Sequence, residues 1–221
     1  MDRAFSLLNN RDYSVDIKIY QNDLPDDLEL GSIIAVDTET LGLNLFRDRL
    51  CLVQLCSGDG IVHLVQCSSG VEGIYEAPNL KSILSDSSRL KLFHYGRFDL
   101  AVLRRDLGVL ATPAYCTKIA SKLVRTFTDR HGLKDLCRDL LGVDISKQQQ
   151  TSDWGAENLS NEQLEYAACD VLYLHDLKDR LDAMLKRQRR SEIANSCFEF
   201  LPYRAELDLA GWNDVDIFSH S

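Results

Sequence analysis

Ile33-Ile34-Ala35-Val36-Asp37-Thr38-Glu39-Thr40 is an apolar run that ends in two carboxylates one residue apart. Read as a buried strand, it sends successive side chains to opposite faces, so Asp37 and Glu39 point the same way within a few ångströms of each other. Two acids crowded on one face repel. A hard divalent cation that takes all-oxygen ligands, Mg²⁺ or Mn²⁺, would relieve that repulsion. The alternative is a strand end whose acids simply face water, and further acids supplied to the same place would decide between the two.

Working outward, Leu41-Gly42-Leu43 reads as a turn and Arg49 to Cys56 as a second strand. Ser57-Gly58-Asp59-Gly60 is a hairpin signal leading into Ile61-Val62-His63-Leu64-Val65. The three strands predict an antiparallel meander with the first of them central. Residues 1–30 read as a polar, Asp-rich lead-in, within which Ile17 and Ile19 alternate in the manner of an edge strand. From Pro78 the pattern turns helical, with proline in the first turn followed by Leu80, Ile83 and Leu84. Leu90 to Phe93 predicts a short strand, Phe98 to Leu107 a helix ended by Gly108, and Ala114 to Cys116 a last strand. Helices follow over Lys118 to Val124 and over Leu133 to Leu141, the latter closed by Gly142. Ser160, with Gln163 three residues on, signals the start of a helix running toward Arg190, long enough to bend or break. A meander followed by alternating helix and strand predicts an α/β fold with a mixed five-stranded sheet flanked by helices on both faces.

The 221 residues, 45% of them hydrophobic, suffice for one sizeable domain or two small ones. No apolar run reaches membrane-spanning length, and Met1 to Phe5 lacks the order of a secretory signal, so a cytoplasmic protein with no membrane partner is expected. Seven cysteines, odd in number and never spaced Cys-x-x-Cys, read as reduced core residues. A net charge of −9 argues against a long duplex as partner, because such binding needs many basic contacts to phosphates. A short strand has few phosphates, and bound cations invert the sign of an acidic pocket.

Two more segments supply acids. His94-Tyr95-Gly96-Arg97-Phe98-Asp99 joins a strand to a helix, placing Asp99 in a first turn, where either capping or a functional role would suit it. On the late helix Tyr166 and Asp170 share a face one turn apart, and the small Ala167 and Ala168 let that helix lie close to the sheet. An ordinary half-buried aromatic is the other reading of Tyr166.

Asp-x-Glu on a strand, Asp99 at a strand-to-helix junction and Tyr-x-x-x-Asp on a late helix jointly resemble the DEDD exonucleases with tyrosine in the third motif. The chain is similar to the ribonuclease D family over roughly residues 15–185, including Lys147-Gln148-Gln149-Gln150-Thr151-Ser152-Asp153-Trp154. That resemblance implies a ribonuclease H-like fold. It also implies a two-metal mechanism, with Asp37, Glu39, Asp99 and Asp170 as metal ligands and Tyr166 positioning the attacking water. In the family's pattern Asp37 bridges both ions, Glu39 and Asp170 complete the site of the attacking water, and Asp99 orients the shell of the second ion. The segment from Cys197 to Trp212 resembles the single-domain nanoRNase C type, implying activity on very short RNA down to dinucleotides and a ring-shaped homo-oligomer, an octamer. One exonuclease domain over 1–221 is expected, with a core at about 15–185 and a C-terminal helix and tail at about 186–221 that could contact another subunit. Phe198, Phe200, Trp212 and Phe218 suit either such a contact or packing on the chain's own core.

Candidate substrate contacts are Thr38 and Leu41 beside the acids, His94, and Trp154 as a base-stacking ring. For His94 a core or capping role is the alternative, and Trp154 could instead anchor its loop. Arg130, His131 and Lys147 are candidates for a 5′ phosphate or a solvated loop. The expected function is a metal-dependent 3'-5' exoribonuclease finishing RNA breakdown and releasing nucleoside 5′-monophosphates. A tRNA 3′-end trimmer, an exonuclease also acting on DNA, and a non-catalytic RNA-binding scaffold are the alternatives.

Overall fold

The computed structural model describes residues 3–5, 15–68, 74–146, 148–149 and 151–220. Its strands are β1 (Arg3–Phe5), β2 (Val15–Gln21), β3 (Ile33–Thr40), β4 (Leu50–Cys56), β5 (Ile61–Gln66), β6 (Leu90–Phe93) and β7 (Ala114–Cys116). Its helices are α1 (Pro78–Ser85), α2 (Arg97–Leu107), α3 (Thr117–Val124), α4 (Leu133–Leu136), α5 (Asn161–Leu172), α6 (Leu174–Arg187) and α7 (Ser191–Leu209). The sheet order is β1-β2-β5-β4-β3-β6-β7. The meander β3-β4-β5 is antiparallel, and β6 and β7 continue parallel to β3, as the sequence predicts.

The mixed sheet is wider than the five predicted strands. Val15 and Ile17 are buried because β2 pairs parallel to β5, with Ile17 opposite Val62, and β1 then pairs antiparallel to β2. A strand preceding the central one in sequence is thus separated from it by two strands, a placement that local alternation cannot reveal.

All seven residues of β4 are buried, so both faces of the sheet are covered there. Each leucine so enclosed contributes about 1.5–3 kcal/mol relative to exposure. On the face that carries Asp37, α5 lies across β3, β4 and β5, and Ala167 and Ala168, fully buried, permit its close approach. Gly58 and Gly60 take positive φ in the β4–β5 hairpin, where a side chain would be strained.

The predicted long helix breaks at Tyr173, which separates α5 from α6. Just beyond, His175 donates from Nε2 to the Ile33 carbonyl at 3.2 Å, pinning the start of α6 to the base of β3. α4 continues into a π-helical turn, Cys137–Leu141, closed by Gly142 at φ +72°. All seven cysteines are unpaired and five are buried, in line with reduced core residues. Among the described residues no helix is long and apolar enough to cross a membrane.

Candidate active site

β3 brings the first two acids to one edge of the sheet. Asp37 and Glu39 line the same face, and α5 lays Asp170 against them, so that one carboxylate oxygen from each of the three lies within 4.8 Å of the others. The helix start that makes this possible is built as the sequence predicts: Ser160 Oγ accepts from the Gln163 amide at 3.3 Å, and Gln163 Oε1 accepts from the Ser160 amide at 2.9 Å. Gln163 also donates to Ser152 Oγ and to the Asp153 carbonyl, tying the preceding loop to α5.

Asp99 enters from the first turn of α2, where its carboxylate accepts from its own backbone amide. It is 4% exposed and accepts a hydrogen bond from Thr38 Oγ1 at 2.7 Å. Thr38 is thus turned toward the acids: its hydroxyl serves Asp99, and its backbone amide donates to the carboxylates of Asp37 and Asp99. Both of its donors are engaged by Asp37 and Asp99, so the hydroxyl and amide of Thr38 hold the acids in place.

The electrostatics follow from crowding. Burial holds the Asp37 carboxyl well above the usual carboxylate range, and the charges of Asp99, Asp170 and Glu39 push it further. Burial, then Asp170 and Asp99, lift Glu39 to about 9. Asp99 rises to about 7 through burial, held back by its hydrogen bonds from Thr38. Two unit charges 4 Å apart repel by roughly 4 kcal/mol at an effective dielectric of 20, and here no cation figures among the charges acting on Asp37 or Glu39. Clustered, desolvated carboxylates fit a hard divalent ion, which takes oxygen ligands and supplies positive charge to offset their repulsion.

Tyr166 lies half-buried beside this cluster. Burial and the charges of Asp170, Glu39 and Asp37 raise its phenol above the ordinary value, and its hydroxyl is hydrogen-bonded to Asp170. Trp154 is 3% exposed, with its ring centroid 6.0 Å from that of Tyr166. Enclosed in this way, the indole suits the loop-anchoring alternative better than base stacking and lies against Tyr166. Leu41 is 52% exposed, and it folds over Gly155 so closely that a Cβ there would sit 2.5 Å from Leu41 Cδ2. Gly155 lets Leu41 lie directly on the loop, and a side chain at 155 would displace the leucine's exposed end.

His94 hydrogen-bonds through Nδ1 to Thr117 Oγ1 at 2.9 Å, and Thr117 in turn donates to the Phe93 carbonyl. With the hydroxyl proton so used, His94 Nδ1 must be the donor, and the ring braces the junction of β6 with α3. Beside this turn a cleft of about 600 Å³ is lined by Leu43, Phe46, Tyr95, Arg97 and Phe98 among others. Arg130 is exposed, and His131 is tied to Ser121 Oγ at 2.9 Å. Lys147 and Gln150 lie outside the described residues. Phe198 packs on Tyr115 in the chain's own core, whereas Phe200 and Phe218 meet at the surface with centroids 5.7 Å apart.

One engaged residue has no signal in any motif. Gln54, opposite Asp37 on β4, donates to Asp37 Oδ2 at 3.3 Å. Only the strand register places it there.

A central strand ending in Asp-x-Glu, a second strand-to-helix acid and a tyrosine with a fourth acid on a covering helix define a ribonuclease H-like nuclease of the DEDD class. The chain belongs to the 3'-5' exonuclease family, whose pattern matches residues 15–186. Ribonuclease D of Gluconacetobacter diazotrophicus is 34% identical over 157 residues, 71% of this chain and 39% of that protein. The chain thus spans about two fifths of the length of such curated relatives. Brucella melitensis NrnC bound to pGG is 56% identical, with a TM-score of 0.87, covering 93% of this chain and 98% of that one. The same protein with bound Mg²⁺ is 55% identical with a TM-score of 0.86, covering 93% and 99%. Together with the acid cluster, the Mg²⁺-bound relative supports use of a divalent metal here.

Proposed function

We propose that this chain is a single-domain, metal-dependent 3'-5' exoribonuclease that hydrolyses short oligoribonucleotides down to dinucleotides and releases nucleoside 5′-monophosphates. The observation that carries the reading is the convergence of Asp37, Glu39 and Asp170 within 4.8 Å, with Asp99 beside them. The NrnC relative bound to pGG supports the short substrate.

Two divalent ions, Mg²⁺ or Mn²⁺, when bound, lower the pKa of an attacking water and neutralise charge on the phosphate and leaving oxygen. Asp37, Glu39, Asp99 and Asp170 are the groups that would hold them. Tyr166 keeps its proton at neutral pH, because its phenol is raised rather than lowered, so its hydroxyl, shared with Asp170, serves to orient water and not as a base. Leu41, braced on Gly155, supplies an apolar edge against the terminal base, and Glu39 is placed to accept from a terminal sugar hydroxyl. The cleft lined by Phe46, Tyr95, Arg97 and Phe98, the last of these next to Asp99 in sequence, is read as the place of the neighbouring nucleotide. The exposed Phe200, Tyr203 and Phe218 are read as a contact between copies in a homo-oligomer, an octamer by resemblance.

The test incubates the purified protein with a labelled RNA dinucleotide, a labelled 20-mer and the matching DNA, each with Mg²⁺, with Mn²⁺ and with chelator. Rapid metal-dependent loss of the dinucleotide is expected. Preference for the long RNA would indicate a trimmer, equal use of DNA a broader exonuclease, and no loss of any substrate a scaffold. Light scattering in solution measures the subunit count, and a monomer would remove the oligomer reading.

A further inference from the structure

Gln54 is the register partner of Asp37 on a strand whose seven residues are all buried. On its other side the sheet pairs it with Leu64 of β5, and its side chain has no exposure to solvent. Its Nε2 donates to Asp37 Oδ2 at 3.3 Å, while its Oε1 is buried with no hydrogen-bond partner among the described residues. The NH₂ end faces Asp37, the orientation that suits the ionised form of the carboxylate that would hold a metal, since that form only accepts.

A dry amide with its carbonyl unmet destabilises the sheet interior, whereas an unbranched apolar side chain of the same length would fill that space with no unmet group. A rule of core composition broken next to the acids is the pattern expected where stability is given up for function.

We propose that Gln54 is a positioning residue of the active site, holding the Asp37 carboxylate in place against the repulsion of its acid neighbours. The proposal rests on the reading of Asp37 as a metal ligand. Asp37 is pressed by Asp99, Asp170 and Glu39, and the two donors that face it are the Thr38 backbone amide and the Gln54 side chain. The backbone donor comes from Asp37's own strand. The Gln54 donor comes across the sheet and fixes the rotation of the carboxylate, so that its oxygen keeps its place in the triangle with Glu39 and Asp170.

Gln54→Met keeps length and apolar volume and deletes the donor. In chelator it is expected to melt at or above the parent temperature, because the unmet carbonyl goes with the amide. The Mg²⁺ concentration giving half of the Mg²⁺-induced rise in melting temperature, measured without substrate, is expected to increase at least threefold. With a dinucleotide, kcat is expected to fall at least tenfold while KM stays within threefold. Gln54→Glu, which keeps the shape and replaces the donor with another acid, is expected to lose at least as much in both respects. A Gln54→Met protein that melts well below the parent in chelator overturns the proposal, since the amide would then be holding the fold. Unchanged Mg²⁺ dependence with kcat within threefold overturns it as well. A parent inactive with Mg²⁺ refutes the nuclease reading instead, and the melting measurements still report on Gln54 alone.

Discussion

Thr38 Oγ1 donates to Asp99 Oδ1 at 2.7 Å, joining the central strand to the first turn of α2 across 61 residues of chain. The bond lies behind the acid cluster and sets where the Asp99 carboxylate points. Hydrogen bonds to charged groups contribute about 1.5–3 kcal/mol, so its loss should be measurable. Thr38→Val is expected to reduce turnover roughly tenfold, about 1.4 kcal/mol in the barrier, and Thr38→Ser to restore most of it. Steady-state kinetics on a dinucleotide decide. Equal rates for the Val variant and the parent would leave the bond without a catalytic consequence.

Removing Asp37 should abolish activity while preserving the fold. Its carboxyl is held in a desolvated, acid-lined position, so deleting it relieves repulsion. Asp37→Ala is expected to melt no lower than the parent in chelator and to retain less than about a thousandth of its rate, on the order of 4 kcal/mol of barrier or more by the tenfold-per-1.4 rule. Activity within tenfold of the parent would contradict the role assigned to Asp37.

Without metal, stability should fall as pH rises. Asp99 at about 7 and Glu39 at about 9 both bind protons more tightly folded than unfolded, where carboxylates titrate near 4. Between those limits the native state carries more protons, so the slope of unfolding free energy with pH is negative. The contribution is complete below about pH 4 and lost as pH passes through about 7 and then about 9. Melting scans in chelator from pH 5 to pH 9 should show the decline, and Mg²⁺ should flatten it. A melting temperature that climbs over this range in chelator would overturn the electrostatic picture.

Tyr166→Phe should slow turnover about tenfold to a hundredfold, at or below the least that a group transferring a proton contributes, because the hydroxyl only orients the water. The ring and its packing on Trp154 remain, so the Mg²⁺ midpoint should stay within twofold. A large loss of metal affinity would show that the hydroxyl acts on the ions and not on water.

Trp154→Phe separates the two roles open to the indole. A buried support predicts a lower melting temperature and reduced kcat with KM within twofold, because Trp154 is enclosed against Tyr166. A tenfold rise in KM with unchanged stability would return the ring to base stacking, which is worth about 1–3 kcal/mol per base.

The sequence by itself determined the kinds and order of the central elements and the identity of the acids. The alternation of β3, the glycine hairpin at 57–60 and the Ser160–Gln163 capping box are local features, and local geometry fixes them. Asp37 and Glu39 share a face because a strand repeats every two residues, and Tyr166 and Asp170 because a helix nearly repeats every four. Only the tertiary structure decided what pairs across long separations: β2 beside β5, Thr38 behind Asp99, Gln54 opposite Asp37, Trp154 beneath Tyr166 and the break at Tyr173. Each depends on how two distant segments dock, and the desolvation and mutual repulsion that set the chemistry of the acids arise only once that docking has excluded water.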